Sequence, residues 1–189
     1  MRTLKLTEET RKNVLEELLK RSPNQYEQYE AVVNEIIQAV REKRDEAVLQ
    51  YTAKFDKWDC NSGNLRVTEE EIKEAYDQID DEFIACMKKS AANITAFHAK
   101  QLHNSWFDPK PDGTILGMKI LPIEKAGVYV PGGKAAYPSS VLMNVLPAKV
   151  AGVQKIVMTT PAGADGKVNP GTLVAADIAG EDEIYKVGG

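Results

Sequence analysis

The residues of this chain best suited to meet a ligand are a tyrosine, a proline and two successive glycines. Residues 127–133 read GVYVPGG, a short β-prone run carrying Tyr129 and closed by Pro131, Gly132 and Gly133. Pro131 fixes φ, whereas the glycines accept positive φ or the close approach of a ligand to the backbone. The chemistry available to such a turn is nucleotide binding, because open α/β sheets take ligands at the carboxyl ends of their strands. The spacing is not GxGxxG, however, so the phosphate fingerprint of dinucleotide folds is absent. On spacing alone a glycine-rich turn is more often plain turn geometry. Tyr129 likewise has two readings: an aromatic face offered to a ligand, or a ring packed under a helix with its hydroxyl satisfied.

The other reactive side chains carry less. His98 and His103 lie five apart, without the HExxH pattern or a cysteine partner, and read as helix-end or core histidines rather than metal ligands. Ser139 and Ser140 stand outside any GxSxG elbow and have no assignable histidine–carboxylate pair, so they are expected to cap a helix. Cys60 and Cys86 are too few for a disulfide framework and lack CxxC spacing.

The elements that must hold the GVYVPGG turn follow from periodicity. Gly127-Val128-Tyr129-Val130 reads as a buried-type strand, and residues 139–153 as a helix that Pro147 must kink or restart. Residues 155–159 form a second strand. Asn169 as N-cap with Pro170 behind it opens another helix through Ala179, and residues 183–187 form a third strand. Strand, helix, strand, helix, strand implies a parallel α/β sheet with right-handed crossovers. Upstream the chain is helical. Thr7 is an N-cap leading into Val14, Leu15, Leu18 and Leu19, with Ser22-Pro23-Asn24 as the stop. Val32, Val33, Ile36, Ile37 and Val40 form a second stripe, which Ala47, Val48, Tyr51 and Phe55 continue past a charged stretch at 41–46 that reads as a solvated bend or helix face rather than a binding patch. Leu65-Arg66-Val67 predicts a short strand, and Thr68 with Glu71 a capping box that opens a helix over 69–79. A helix over 81–101 is expected to bury Phe83, Ile84, Met87, Ala91, Ile94 and His98, and residues 106–124 predict a hairpin or extended segments.

Length and composition bound the answer. At about 150 residues per domain, 189 residues make one to two domains. A content of 43% hydrophobic and 28% charged residues is that of an ordinary globular chain. The formal net charge of −4 removes the footprint of a general nucleic-acid binder, and no apolar run is long enough for a signal or a membrane span. A reducing cytoplasm is the expected compartment. The expected division is a helical extension at 1–24, the mostly helical first part of an α/β domain at 25–125, and a βαβαβ portion at 126–189.

Longer words in the sequence go further. GVYVPGGKAAYPSSVLMNVLPAKVAGVQKIVMTTPAG at 127–163 closely resembles the signature region of the histidinol dehydrogenase family, and AGEDEIYKVGG resembles the segment preceding that family's GAQAIAA run. DEAVLQYTAKFDKWD at 45–59 and NITAFHAKQ at 93–101 are similar to two further family motifs, in the family's order along the chain. The resemblance implies an NAD- and zinc-dependent oxidoreductase of histidine biosynthesis that converts L-histidinol through L-histidinal to L-histidine. It also implies a homodimer and Rossmann-like, aldehyde-dehydrogenase-like α/β domains.

Residue by residue, the resemblance matches Tyr129 to a cofactor-binding tyrosine, and Pro131 and Phe55 to positions lining the same NAD pocket. The family's zinc ligands (Gln, His, Asp and His) and its catalytic Glu-His pair match nothing in this chain, so no catalytic or metal residue is assigned. Arg44 stands where the family often has Gly, which implies a less sharply broken helix before Asp45. The chain stops at a Gly-Gly pair where a further βα turn would begin. It is therefore expected to be the N-terminal portion of a longer product, inactive alone, with an incomplete sheet whose apolar edges and faces favour association. The rival expectations are a non-catalytic nucleotide-binding or interaction module, and a glutamyl phosphate reductase, which would need a catalytic cysteine in a suitable motif.

Overall fold

The computed structural model describes residues 3, 5–15, 27–132 and 136–188. Leu18, Leu19, the stop at Ser22-Pro23-Asn24 and the last glycine of the Pro131 turn lie outside the described residues. The chain divides into two compact units, Met1–Ala47 and Val48–Gly189.

In the first unit Thr7 caps a single turn, Glu8–Thr10, by accepting from the Thr10 N–H while the Thr10 hydroxyl accepts from the Thr7 N–H. A π-helical turn, Arg11–Leu15, follows. Helix α1 spans Glu27–Lys43. Its apolar stripe forms, but Val32, Val33 and Ile37 remain exposed. Helix α2, Asp45–Phe55, begins immediately after Arg44, whose φ is 52°. This corrects the expectation of a softened break: an arginine occupies the left-handed position that ends one helix and lets the next begin, a conformation glycine adopts without strain.

The second unit is built on helices α3 (Glu69–Asp77), α4 (Asp81–Ala99), α5 (Pro138–Ala151) and α6 (Pro170–Ala179), with strands β3 (Lys125–Tyr129), β4 (Lys155–Thr159) and β5 (Glu183–Tyr185). A separate two-stranded hairpin, β1 (Trp106–Pro109) with β2 (Ile115–Met118), is antiparallel and exposed on both faces. The Thr68–Glu71 capping box is present at the start of α3, and Asn169 accepts from the Thr172 N–H at the start of α6. Three helical expectations change. Helix α5 starts at Pro138 with Tyr137 as an N-cap that makes no side-chain cap bond, so Ser139 and Ser140 do not cap it. The same helix runs through Pro147 without restarting, with its neighbours α4 and α6 packed against it. Phe83 on α4 is 42% exposed, while Met87 and Ala91 are buried.

The three-stranded sheet is parallel in the order β3-β4-β5. Its register aligns Ala126 with Ile156, and Val128 with Met158 and Ile184, on the core side. Ile156, Met158 and Ile184 there join Val141, Leu142, Val145 and Val174 of the covering helices in one hydrophobic core. The opposite face carries Lys125, Gly127, Tyr129, Lys155, Thr159, Glu183 and Tyr185, all exposed or half-buried. The strand at 127–130 is therefore not fully buried; burial alternates as in a one-sided sheet, although the pairing is parallel. Residues 65–67 form a single antiparallel bridge, Arg66 opposite Tyr185, rather than a full strand. They nevertheless cover the outer edge of β5, with Val67 N–H bonded to the Ile184 carbonyl and Lys186 N–H to the Leu65 carbonyl. That edge of the sheet is not bare.

Candidate functional site at the carboxyl edge of the sheet

The register places Tyr129, Thr159 and Tyr185 in one row at the carboxyl ends of the three strands. The pleat turns all three toward the open face. Tyr129 is 55% exposed, and among the described residues its hydroxyl has no hydrogen-bond partner. Two residues earlier, Gly127 has nothing within 4 Å of where a Cβ would stand. An exposed aromatic ring beside an unobstructed glycine leaves room for a planar group to lie along the strand.

Beyond the strands the chain enters two loops that touch. Val130 N–H bonds to the Thr159 carbonyl and Thr160 N–H to the Tyr185 carbonyl, each extending the ladder by one bond. Pro131-Gly132 follows β3 and Pro161-Ala162 follows β4 at the same offset. A Cβ on Gly132 would stand 2.8 Å from both Pro161 Cγ and the Pro161 carbonyl oxygen. Only glycine allows this approach. A cleft of about 210 Å³ opens beside it, with Gly132, Thr160, Pro161, Lys167 and Asn169 in its wall. Tyr129 and Pro131 are not among its lining residues.

Three further residues define the edge. Gly188 lies against Tyr129: a Cβ there would fall 2.7 Å from Tyr129 Cε2. Lys186 is 5% exposed, paired with Glu71, and its ammonium lies 5.8 Å from the Trp58 ring centroid. Nearby, burial pushes the Cys60 thiol up, an effect that Lys186 partly offsets. A buried thiol held protonated is a poor nucleophile.

Of the residues expected at a cofactor pocket, Tyr129 and Pro131 stand together at the end of β3. Phe55 ends α2, 43% exposed, with its ring stacked on Tyr51 at 5.8 Å and Lys54 over both rings. No ring contact joins Phe55 to Tyr129 among the described residues. Pro161 and Gly188 were not reached by sequence reasoning. The repeat of a proline two residues after both Tyr129 and Thr159 is the signal that could have found Pro161, whereas the seat of Tyr129 on Gly188 is tertiary and leaves no local mark. His98 bonds Gln101 through Nδ1 at 2.6 Å, at the end of α4. Among the described residues no group of three or more His, Cys, Asp or Glu side chains is placed to hold a metal ion. None of their helices is long and apolar enough to cross a membrane.

Comparison with known proteins shows what the chain as a whole is similar to. The family model described as histidinol dehydrogenase matches residues 19–189. A histidinol dehydrogenase from Heliobacterium mobile is 53% identical over 157 residues, covering 83% of this chain and 37% of that protein. One from Listeria innocua is 48% identical over 190 residues, covering 100% of this chain and 43% of the relative. The crystal structure of histidinol dehydrogenase from Elizabethkingia anophelis superposes with a TM-score of 0.78 at 31% identity, over 100% of this chain and 39% of that one. The chain thus spans well under half the length of the relatives it matches.

Proposed function

The chain belongs to the histidinol dehydrogenase family, and from that premise we propose that it supplies a dinucleotide-facing edge to an NAD- and zinc-dependent enzyme oxidising L-histidinol through L-histidinal to L-histidine. The observation that carries this reading is the exposed Tyr129 ring at the carboxyl end of β3, beside the unobstructed Gly127 and the Gly132–Pro161 approach. This is the edge at which open α/β sheets receive nucleotides. NAD, when bound, accepts hydride from the substrate carbon. The residues of this chain bind and orient it: Tyr129 offers a ring face and a hydroxyl without a partner among the described residues, Pro131 and Pro161 give rigid apolar walls, and Gly127 and Gly132 keep the backbone clear. Phe55 is proposed to line the same pocket.

Zinc is different. The described residues do not fit a metal centre, so none is assigned to it and no step is derived through it. The proposed setting is cytoplasmic, as a homodimer, with a small-molecule substrate and neither nucleic acid nor membrane as partner. The test is histidinol-dependent NADH formation by the protein extended to its relatives' full length and supplied with zinc. Activity that requires both histidinol and NAD is expected. A folded protein that binds NAD but turns over only other alcohols would overturn the substrate assignment.

A further inference from the structure

Lys186 is the first residue beyond β5, and the pleat that turns Ile184 inward turns it inward too. A lysine there must keep its charge paired, because an uncompensated buried ammonium is costly. Its partner comes from 115 residues away: Nζ donates to Glu71 Oε1. The other oxygen of the same carboxylate, Oε2, accepts the Thr68 N–H at 2.9 Å and so closes the capping box of α3. The Lys186 N–H donates to the Leu65 carbonyl at 2.9 Å, and the ammonium faces the buried Trp58 ring. Lys186 is thus held on three sides: the start of α3, residues 58–65, and β5. Two residues later comes Gly188, with φ 125°, a backbone conformation that a side chain would strain. On that α-carbon the Tyr129 ring rests.

We propose that Lys186 is a positioning residue for the cofactor edge: its buried ion pair with Glu71 fixes the course of residues 186–188, so that Gly188 seats the Tyr129 ring. The cofactor part of this inference rests on the function proposed above; the seating does not. Glu71→Gln separates the pair from the helix cap, because a glutamine oxygen still accepts the Thr68 N–H while the charge attracting Lys186 is gone. Lys186→Met removes the pair from the other side.

The readout is the nuclear Overhauser effect between the Gly188 α-protons and the Tyr129 ring protons in the 189-residue chain, with circular dichroism verifying the fold. The effect is expected to be present in the parent and lost or strongly weakened in Glu71→Gln. If Lys186→Met fails to fold, Glu71→Gln alone decides, since its cap is preserved. An unchanged effect in a folded variant with the pair broken overturns the proposal. NAD affinity, measured in the full-length protein, is expected to fall in Glu71→Gln by no more than the roughly ten-fold that Tyr129 itself supplies. Loss of the seating without any loss of affinity, together with an unaffected Tyr129→Ala, would retire the cofactor reading and leave the ion pair's structural action standing.

Discussion

Two residues are held against their intrinsic preference. Arg44 sits at φ 52° between α1 and α2. A left-handed non-glycine residue costs roughly 1 kcal/mol, so Arg44→Gly is expected to raise the unfolding free energy by about that amount and, with m unchanged, the denaturant midpoint with it. An unchanged or lowered midpoint would show that the arginine side chain contributes more than its backbone costs. Glu181 is the second case. Among the described residues its buried carboxylate oxygens have no hydrogen-bond partner, and burial, reinforced by the neighbouring Asp182 and partly offset by Lys149, pushes its pKa up to about 7. The ordinary value is 4.5, so below that pH both folded and unfolded chains carry the proton and nothing is lost. As pH rises from 4.5 toward 7 the unfolded chain releases its proton first, and stability falls until the folded group also ionises. Glu181→Gln should therefore stabilise the protein at pH 8 by about 1–2 kcal/mol, less than the full shift would give because the residue as a whole is only half-buried. The difference should vanish by pH 4 in paired denaturation curves.

The structure repeats the sequence at the level of elements wherever a local rule decides. Thr68 with Glu71, Asn169 before Pro170, and the run Lys155–Thr159 each carry a complete signal within a few residues. Ser139 and Ser140 do not cap because the helix already begins at Pro138, where a missing N–H costs nothing, so both serines lie inside its first turn. What remained hidden was set by residues far apart in the chain: Lys186 on Glu71, Tyr129 on Gly188, Gly132 on Pro161. The one-sided sheet was hidden as well, since a run such as GVYV does not reveal which face receives helices. Thr68→Ala should cost about 1 kcal/mol through the lost cap of α3, read in thermal or denaturant unfolding. Gly132→Ala should cost more at the site than in stability. The new methyl meets a backbone carbonyl that has to move, so the loops after β3 and β4 are expected to separate in a crystal structure of the variant.

For the molecule as a whole, the hairpin exposes Trp106, Phe107, Ile115, Leu116 and Met118. Apolar groups concentrated on so small an element favour association. Light scattering is expected to give a mass that rises with concentration, and Phe107→Ser with Leu116→Ser should lower it without lowering stability. A monodisperse monomer at high concentration would contradict this.

The function proposed above stands on contact between the Tyr129 edge and NAD. Titration calorimetry of NAD into the full-length protein and its Tyr129→Ala variant, both verified as folded, tests it most directly. A ring face and a hydroxyl bond together contribute on the order of 1–2 kcal/mol, so affinity should fall about ten-fold in Tyr129→Ala and less in Tyr129→Phe. Equal affinity in parent and Tyr129→Ala would rule that contact out.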